Sequence, residues 1–380
     1  MRSILTFLLS LTTAICVAEP RARDLGVPFD GEPGPLNAIT DVAGVEIGHT
    51  TLIQDLTDGH RVRTGVTAIL PRGRADIRTP AFSGWFSLNG NGEMTGTTWI
   101  EESGQLDGPV LLTNTHSVGV VRDAVIAWRV RQGGADASGY WWSLPVVAET
   151  WDGHLNDVNG FHVKPAHVDA ALAAAAGGPV AEGNVGGGTG MICHEFKCGI
   201  GTSSRRVTIE GRTHTIGVLV QANYGLRETL RIAGAPIGQH LREHRAYQDQ
   251  PRETGSIIIV VATDAPLLSH QLKRLARRAG MGLARMGSYA GDGSGDIFVA
   301  FSTANAAALS GAPYGSAEFL ENGRMDPLFE ATVQATEEAI VNSLIAARDM
   351  EGEGGRYAKA IPHAELVALL KKYGRLAAPD

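Results

Sequence analysis

The sequence predicts an α/β or α+β protein, and three observations carry that expectation. Apolar, β-branched runs bounded by turn residues alternate with segments of helical periodicity. Hydrophobic residues make up 43% of the chain, aromatics only 6%, and glycines number 48, a composition of tight turns and close backbone packing rather than disorder. No internal repeat of fixed period is present. A chain of 380 residues can hold two or three domains or one large α/β domain, and it can bury a sizeable core.

Taken in chain order, residues 1–18 read as a secretory signal. Arg2 supplies the positive charge, residues 4–17 the apolar stretch, and Ala18 the last position before cleavage, with Cys16 as the small residue two before it. A buried N-terminal helix is the alternative. No other run is long and apolar enough for a membrane helix. Strands are expected at 66–70, 109–113, 216–221, 256–262 and 296–301. Helices are expected at 118–131, 167–176, 270–285 with a basic face, 328–348 and 364–373. Residues 242–254 are polar and charged, are interrupted by Pro251, and form the best candidate for an exposed linker.

Several chemistries are excluded. The formal charge of −7 gives no basic footprint for nucleic acid. No serine lies in a Gly-x-Ser-x-Gly elbow. His194-Glu195 is followed by Cys198 where a zinc-protease helix needs its second His. The run from Gly183 to Gly190 lacks the Lys of a P-loop and the phase of Gly-x-Gly-x-x-Gly, so it either packs backbone or lines a site with N–H groups. The segment from Asp292 to Asp296 resembles the start of a calcium loop, but Thr303 stands where the bidentate Glu belongs, which leaves a turn between helix and strand. Cys193 and Cys198 could pair in an oxidising compartment or stay free, and their spacing implies no metal.

One junction stands out. Gly255 can adopt backbone angles closed to other residues, and Ser256 follows it at the head of an apolar strand. A strained Gly–Ser peptide suits attack by the serine hydroxyl on the preceding carbonyl. Hydrolysis of the resulting ester would leave Ser256 with a terminal amine of pKa near 7.7–8, able to act as base for its own hydroxyl. An ordinary turn before a buried strand is the competing reading.

The neighbouring segments decide between them. From about Arg23 to Tyr373 the chain resembles the L-aminopeptidase/D-esterase and β-peptidyl aminopeptidase family of self-processing serine peptidases. The resemblance is carried by Trp99-Ile100-Glu101-Glu102-Ser103-Gly104, Thr113-Asn114-Thr115-His116-Ser117-Val118-Gly119 and Val147-Ala148-Glu149-Thr150-Trp151-Asp152-Gly153. It continues through Gly186-Gly187-Gly188-Thr189-Gly190-Met191, Ala222-Asn223-Tyr224-Gly225, Gly255-Ser256, Ala262-Thr263-Asp264-Ala265-Pro266-Leu267 and Gly293-Ser294-Gly295-Asp296.

That resemblance implies a four-layer α/β/β/α sandwich shared with ornithine acetyltransferases and similar to N-terminal-nucleophile hydrolases, with a different connectivity. It implies a single catalytic domain, 19–380, cut between Gly255 and Ser256 into subunits 19–255 and 256–380, and a homo-oligomer of such two-subunit protomers. By the same resemblance Ser256 is the nucleophile, Ser294 the second serine and Asp296 the acid, one methylene shorter than the Glu many members carry. Asn223 is the oxyanion donor. Glu149 pairs with the substrate's free amine, and Trp151 stands beside it where some members have Tyr. Each residue has a plainer alternative: Asn223 or Ser294 shaping a turn, Glu149 pairing with a neighbouring Arg. No cofactor is expected. The expected substrate is a small peptide or an aminoacyl amide or ester, met in the periplasm or outside the cell, with no nucleic acid partner and no membrane contact after signal removal. An acyltransferase of the ornithine acetyltransferase type is the alternative, but those use Thr as the freed nucleophile and would not carry a secretion signal.

Overall fold

The run Ile257-Ile258-Ile259-Val260-Val261 needs cover on both faces, and it has it: every residue from 256 to 263 is buried. The computed structural model describes residues 20–133, 138–139, 142–247 and 255–377. The expected signal segment and residues 248–254 of the expected linker lie outside the described residues.

Fourteen residue stretches are paired as strands among the described residues, and twelve of them matter here. In chain order they are β1 (Glu46–Asp55), β2 (Arg61–Leu70), β3 (Ala81–Gly90), β4 (Gln105–Leu106), β5 (Val110–Asn114), β6 (Val146–Thr150), β7 (Ile192–Cys193), β8 (Phe196–Lys197), β9 (Ile200–Ile209), β10 (Arg212–Asn223), β11 (Ser256–Thr263) and β12 (Gly295–Ser302). The α-helices are α1 (Thr97–Ser103), α2 (Val118–Arg131), α3 (Pro165–Ala174), α4 (Ser269–Arg285), α5 (Asp326–Ile345) and α6 (His363–Lys372).

Two sheets result. One has four strands in the order β1-β2-β5-β6, and the other has six in the order β4-β3-β12-β11-β10-β9. Most neighbours are antiparallel. The two parallel pairs, β5–β6 and β11–β12, are joined by the crossover helices α2 and α4, as parallel pairing requires.

Alternation along β11 shows how the layers stack. Ile257, Ile259 and Val261 belong to a core shared with α4 and α5, including Leu272, Leu275, Ala335 and Ala339. Ile258, Val260 and Ala262 face the other way, into a core completed by Ile69, Val110, Leu112 and Val146 of the four-stranded sheet. That sheet's outer face packs Val66, Leu111 and Val147 against Val121 and Val125 of α2 and Leu172 of α3. The order is therefore helices, sheet, sheet, helices: the expected α/β/β/α sandwich.

The expected elements at 66–70, 109–113, 216–221, 256–262 and 296–301 are all strands, and the five expected helices are all present with ends shifted by a few residues. The structure leaves no choice at Cys193 and Cys198: they are joined, with Cα atoms 5.6 Å apart. Among the described residues no helix is long and apolar enough to cross a membrane.

Candidate active site

The strand register brings Ser256, Asn223 and Gly295 side by side. Ser256 opens β11, faces Asn223 across the antiparallel pairing with β10, and faces Gly295 across the parallel pairing with β12. Ser256 continues the alternation of Ile258 and Val260, so its side chain points between the sheets. Asn223 continues that of Leu219 and Gln221 and points the same way. Both side chains are buried.

The amide of Asn223 is oriented. Its Oδ1 accepts the N–H of Ile192 at 2.9 Å, which leaves the NH2 end as the donor. Asn223 thus ties the end of β10 to the chain at Ile192.

Gly255 corrects the sequence expectation. It does not adopt a positive φ. Glycine is required there because an added Cβ would lie 2.2 Å from the carbonyl oxygen of Asn223 and 2.4 Å from the Cα of Tyr224. The chain is squeezed against the end of β10, and the constraint is close approach rather than an unusual backbone angle. The Gly255 carbonyl accepts the N–H of Gly295 at 3.1 Å.

Ser294 and Asp296 flank Gly295. The Ser294 hydroxyl donates to Asp296 Oδ1 at 2.7 Å, and both residues are fully buried. In the pairing of β12 with β3 the register shifts between Asp296 and Ile297, an irregularity of the kind that re-aims a side chain. The turn before Ser294 is held from β3 and the loop after it. Asn89 Nδ2 donates to the Gly291 carbonyl at 2.5 Å, and Asn91 Nδ2 donates to the Gly293 carbonyl at 2.7 Å. Sequence reasoning missed both asparagines, although their Asn-Gly-Asn-Gly alternation was a visible signal.

Glu149 lies on β6 of the other sheet and is buried. Its Oε1 accepts the N–H of Glu93 at 3.0 Å, and its Oε2 accepts the hydroxyl of Thr115. Among the described residues no cationic side chain forms an ion pair with it, so the structural Arg partner is not found. Burial pushes its carboxyl above the ordinary value. The loop carrying Glu93 also reaches the other sheet: a Cβ on Gly92 would lie 3.3 Å from Glu149 Oε1 and 3.2 Å from the Cα of Gly295. Gly92 thus bridges Glu149 and the strand beside Ser256. In the sequence Thr115 is one residue of the Thr113–Gly119 segment, and its contact with Glu149 arises only in the fold.

Trp151 follows β6, is 40% exposed, and lies over Gly153. His116 stacks on Phe161 with ring centroids 5.9 Å apart. Asp152 is buried, receives Asn156 Nδ2 at 3.1 Å, and has its carboxyl pushed up to about 6 by burial. The glycine-rich run turns its N–H groups inward: Gly186 donates to Thr51 Oγ1 and Gly187 to Thr67 Oγ1. A Cβ on Gly187 would lie 2.0 Å from Gln221 Oε1. The run packs the two sheets together. His194 is buried, its Nδ1 bonds the Leu226 carbonyl at 3.0 Å, and burial depresses its pKa to about 4. A cleft of about 860 Å³ lined by Arg63, Glu182 and Arg348 includes none of these site residues.

Residues 37–358 match peptidase family S58. The chain is 55% identical, over 97% of its length and 96% of the relative's, to the β-peptidyl aminopeptidase BapA of Sphingosinicella microcystinivorans. It resembles the solved L-aminopeptidase D-Ala-esterase/amidase of Ochrobactrum anthropi, described as a serine aminopeptidase with a variant of the Ntn hydrolase fold. The TM-score is 0.89 and the identity 50%, covering 94% of this chain and 100% of that one. A β-aminopeptidase from Burkholderia sp. matches with TM-score 0.85 and 50% identity, covering 93% and 99%. With the sandwich and the facing Ser256 and Asn223 already in view, these similarities fix the assignment: the chain belongs to peptidase family S58 and is a hydrolase of the serine aminopeptidase class.

Proposed function

We propose that this aminopeptidase is made as an exported precursor, cuts itself between Gly255 and Ser256, and then uses Ser256 to release N-terminal residues, β-amino acids among them, from small peptides, amides and esters. The observation that carries the reading is the meeting of three strand positions: Ser256, the oriented amide of Asn223, and the Gly255 carbonyl held by the Gly295 N–H.

Maturation begins when Ser256 Oγ attacks the Gly255 carbonyl carbon. Negative charge develops on an oxygen that already accepts the Gly295 N–H, which supplies a preorganised donor. The C–N bond breaks, the nitrogen takes a proton, and the resulting ester is hydrolysed by water. The products are the Gly255 carboxylate and a free Ser256 amine.

In turnover that amine accepts the hydroxyl proton as Oγ attacks the substrate carbonyl. Asn223 Nδ2 donates to the oxyanion, the leaving amine or alcohol takes the proton, and water then hydrolyses the acyl-serine. Ser294 and Asp296 orient the nucleophile or its amine. Glu149 receives the substrate's ammonium: it is buried, unpaired with any described cation, and joined to the strand beside Ser256 through Gly92. A charge-assisted pair in such a site gives both affinity and register. Trp151 borders the amine site. The mature enzyme works outside the cytoplasm as a homo-oligomer of two-subunit protomers.

The test is release of p-nitroaniline from β-, L-α- and D-α-aminoacyl anilides and their N-acetyl forms. The reading predicts turnover of free β-amino substrates and near inertness of the acetylated ones. Equal rates on free and acetylated substrates would instead describe a general amidase.

A further inference from the structure

Behind Asn223 lies a hairpin that the roles above do not use. In it β7 and β8 pair Ile192 with Lys197 and Cys193 with Phe196, and the Cys193–Cys198 disulfide closes it. Its turn residues, His194 and Glu195, are left-handed, with φ of 46° and 62°. Two-residue hairpins usually give such positions to Asn and Gly. Here the conformation is held from outside: His194 N–H donates to the Tyr224 carbonyl at 2.6 Å, and the buried Glu195 carboxylate receives Arg245 at 2.6 Å. The hairpin is thereby fastened to the chain directly after Asn223.

Lys197 is the odd residue in this hairpin. Its side chain is fully buried, and among the described residues no carboxylate pairs with it. Its Nζ donates to the Met191 carbonyl at 2.9 Å, to the Cys198 carbonyl, and at 3.5 Å to the Gly188 carbonyl. The Met191 carbonyl also accepts the Cys198 N–H at 3.2 Å. The N–H of that same peptide unit belongs to Ile192, and it is the group that donates to Asn223 Oδ1 at 2.9 Å.

A peptide unit is planar, so anchoring its oxygen fixes where its N–H points. Donors on the carbonyl also polarise the unit and strengthen its N–H, and that polarisation passes through Oδ1 to the Asn223 NH2. A buried amine costs free energy that a methionine of similar length would not. Packing alone therefore does not account for Lys197.

We propose that Lys197 is a positioning residue for the oxyanion donor, holding and polarising the Asn223 amide through the Met191–Ile192 peptide. This rests on the reading of Asn223 as that donor, and the test separates the two. It is a double-mutant cycle with Asn223→Ala, following kcat, KM and maturation of each variant. Lys197→Met should lower kcat about tenfold and leave KM within about twofold. Lys197→Gln, which keeps an N–H donor, should recover part of the loss. In the Asn223→Ala background, Lys197→Met should lower kcat by less than about twofold more, because the residue through which it acts is gone. Equal kcat losses in both backgrounds, or a raised KM with normal kcat, would overturn the role of Lys197 and leave that of Asn223 standing. A normal kcat in Asn223→Ala alone would remove the reading beneath it. Should Lys197→Met fail to fold, Lys197→Gln takes its place with a smaller expected loss: a kcat drop of about threefold that disappears in the Asn223→Ala background supports the role, and equal drops in both backgrounds overturn it.

Discussion

The two sheets contribute differently to the site. The six-stranded sheet offers the ends of three adjacent interior strands, β10, β11 and β12, and the positions of Asn223, Ser256 and Gly295 follow from backbone register. The four-stranded sheet offers Glu149 from β6, which among the described residues has β5 as its one full strand neighbour and an isolated bridge from Met94 to Ala148. The carboxylate of Glu149 is held by one loop N–H and one hydroxyl, with no ion-paired cation among the described residues. Groups that must meet within a few tenths of an ångström sit where the fold is most determined. On the proposed reading, Glu149, which pairs with no cation among the described residues, is the group that accepts a charge from outside.

If that division is right, mutations should split the same way, kcat to one sheet and KM to the other. The largest effect falls on Ser256→Ala, which should stay uncut and lose turnover by at least about 10⁴-fold; residual activity near wild type would break the division at its centre. Asn223→Ala should lower kcat by roughly 100- to 1,000-fold with little change in KM, a loss of about 3–4 kcal/mol in transition-state stabilisation. Its maturation should be slowed far less, because the Gly255 carbonyl has its own donor in the Gly295 N–H. Equal slowing of maturation and turnover would show that one hole serves both. Ser294→Ala removes a hydroxyl that already donates to Asp296 and should cost kcat about tenfold.

On the other sheet, Glu149→Gln should raise KM more than it lowers kcat. Binding of the ammonium needs the ionised carboxylate, and burial raises its pKa. Affinity in the wild type should therefore fall on acidification at a pH above the ordinary glutamate range, and Glu149→Gln should lose that limb of the KM profile. The stability sign is opposite. A carboxyl with a raised folded pKa contributes stability below its unfolded pKa, and the contribution is lost as pH rises through the folded one. Glu149→Gln should thus melt no lower than wild type at pH 8. A lower Tm there, with unchanged KM, would make Glu149 a structural residue.

The sequence made the core legible wherever burial and apolarity coincide. Strand β11 and helices α2 and α4 follow directly from their patterns. It hid the strands whose burial is polar. Strand β9 places Ser203, Ser204 and Arg205 inside, with Arg205 paired to Glu338 at 2.7 Å, and no apolar run marks it. Strand β3 carries Ser83 and Gly84, the latter because α4 lies so close that a Cβ would meet Lys273 N at 2.3 Å. In the site, the Gly255–Ser256 junction stands out on its own, but Asn223, Ser294, Asp296 and Glu149 are named through resemblance, since no local spacing links residues from four separate segments. Their supports, Asn89, Asn91, Thr115 and Lys197, act through hydrogen bonds that only the assembled sheets create. Gly255 was singled out for the wrong physical reason: its small size matters there, and its backbone freedom does not.

The proposed chemistry requires Ser256 to become a chain terminus. Intact-mass measurement and N-terminal sequencing of the purified, active enzyme test it directly. Two polypeptides are expected, one ending at Gly255 and one beginning Ser-Ile-Ile-Ile with a free amine. Ser256→Ala should remain as one chain. A single uncut polypeptide with full activity would contradict it.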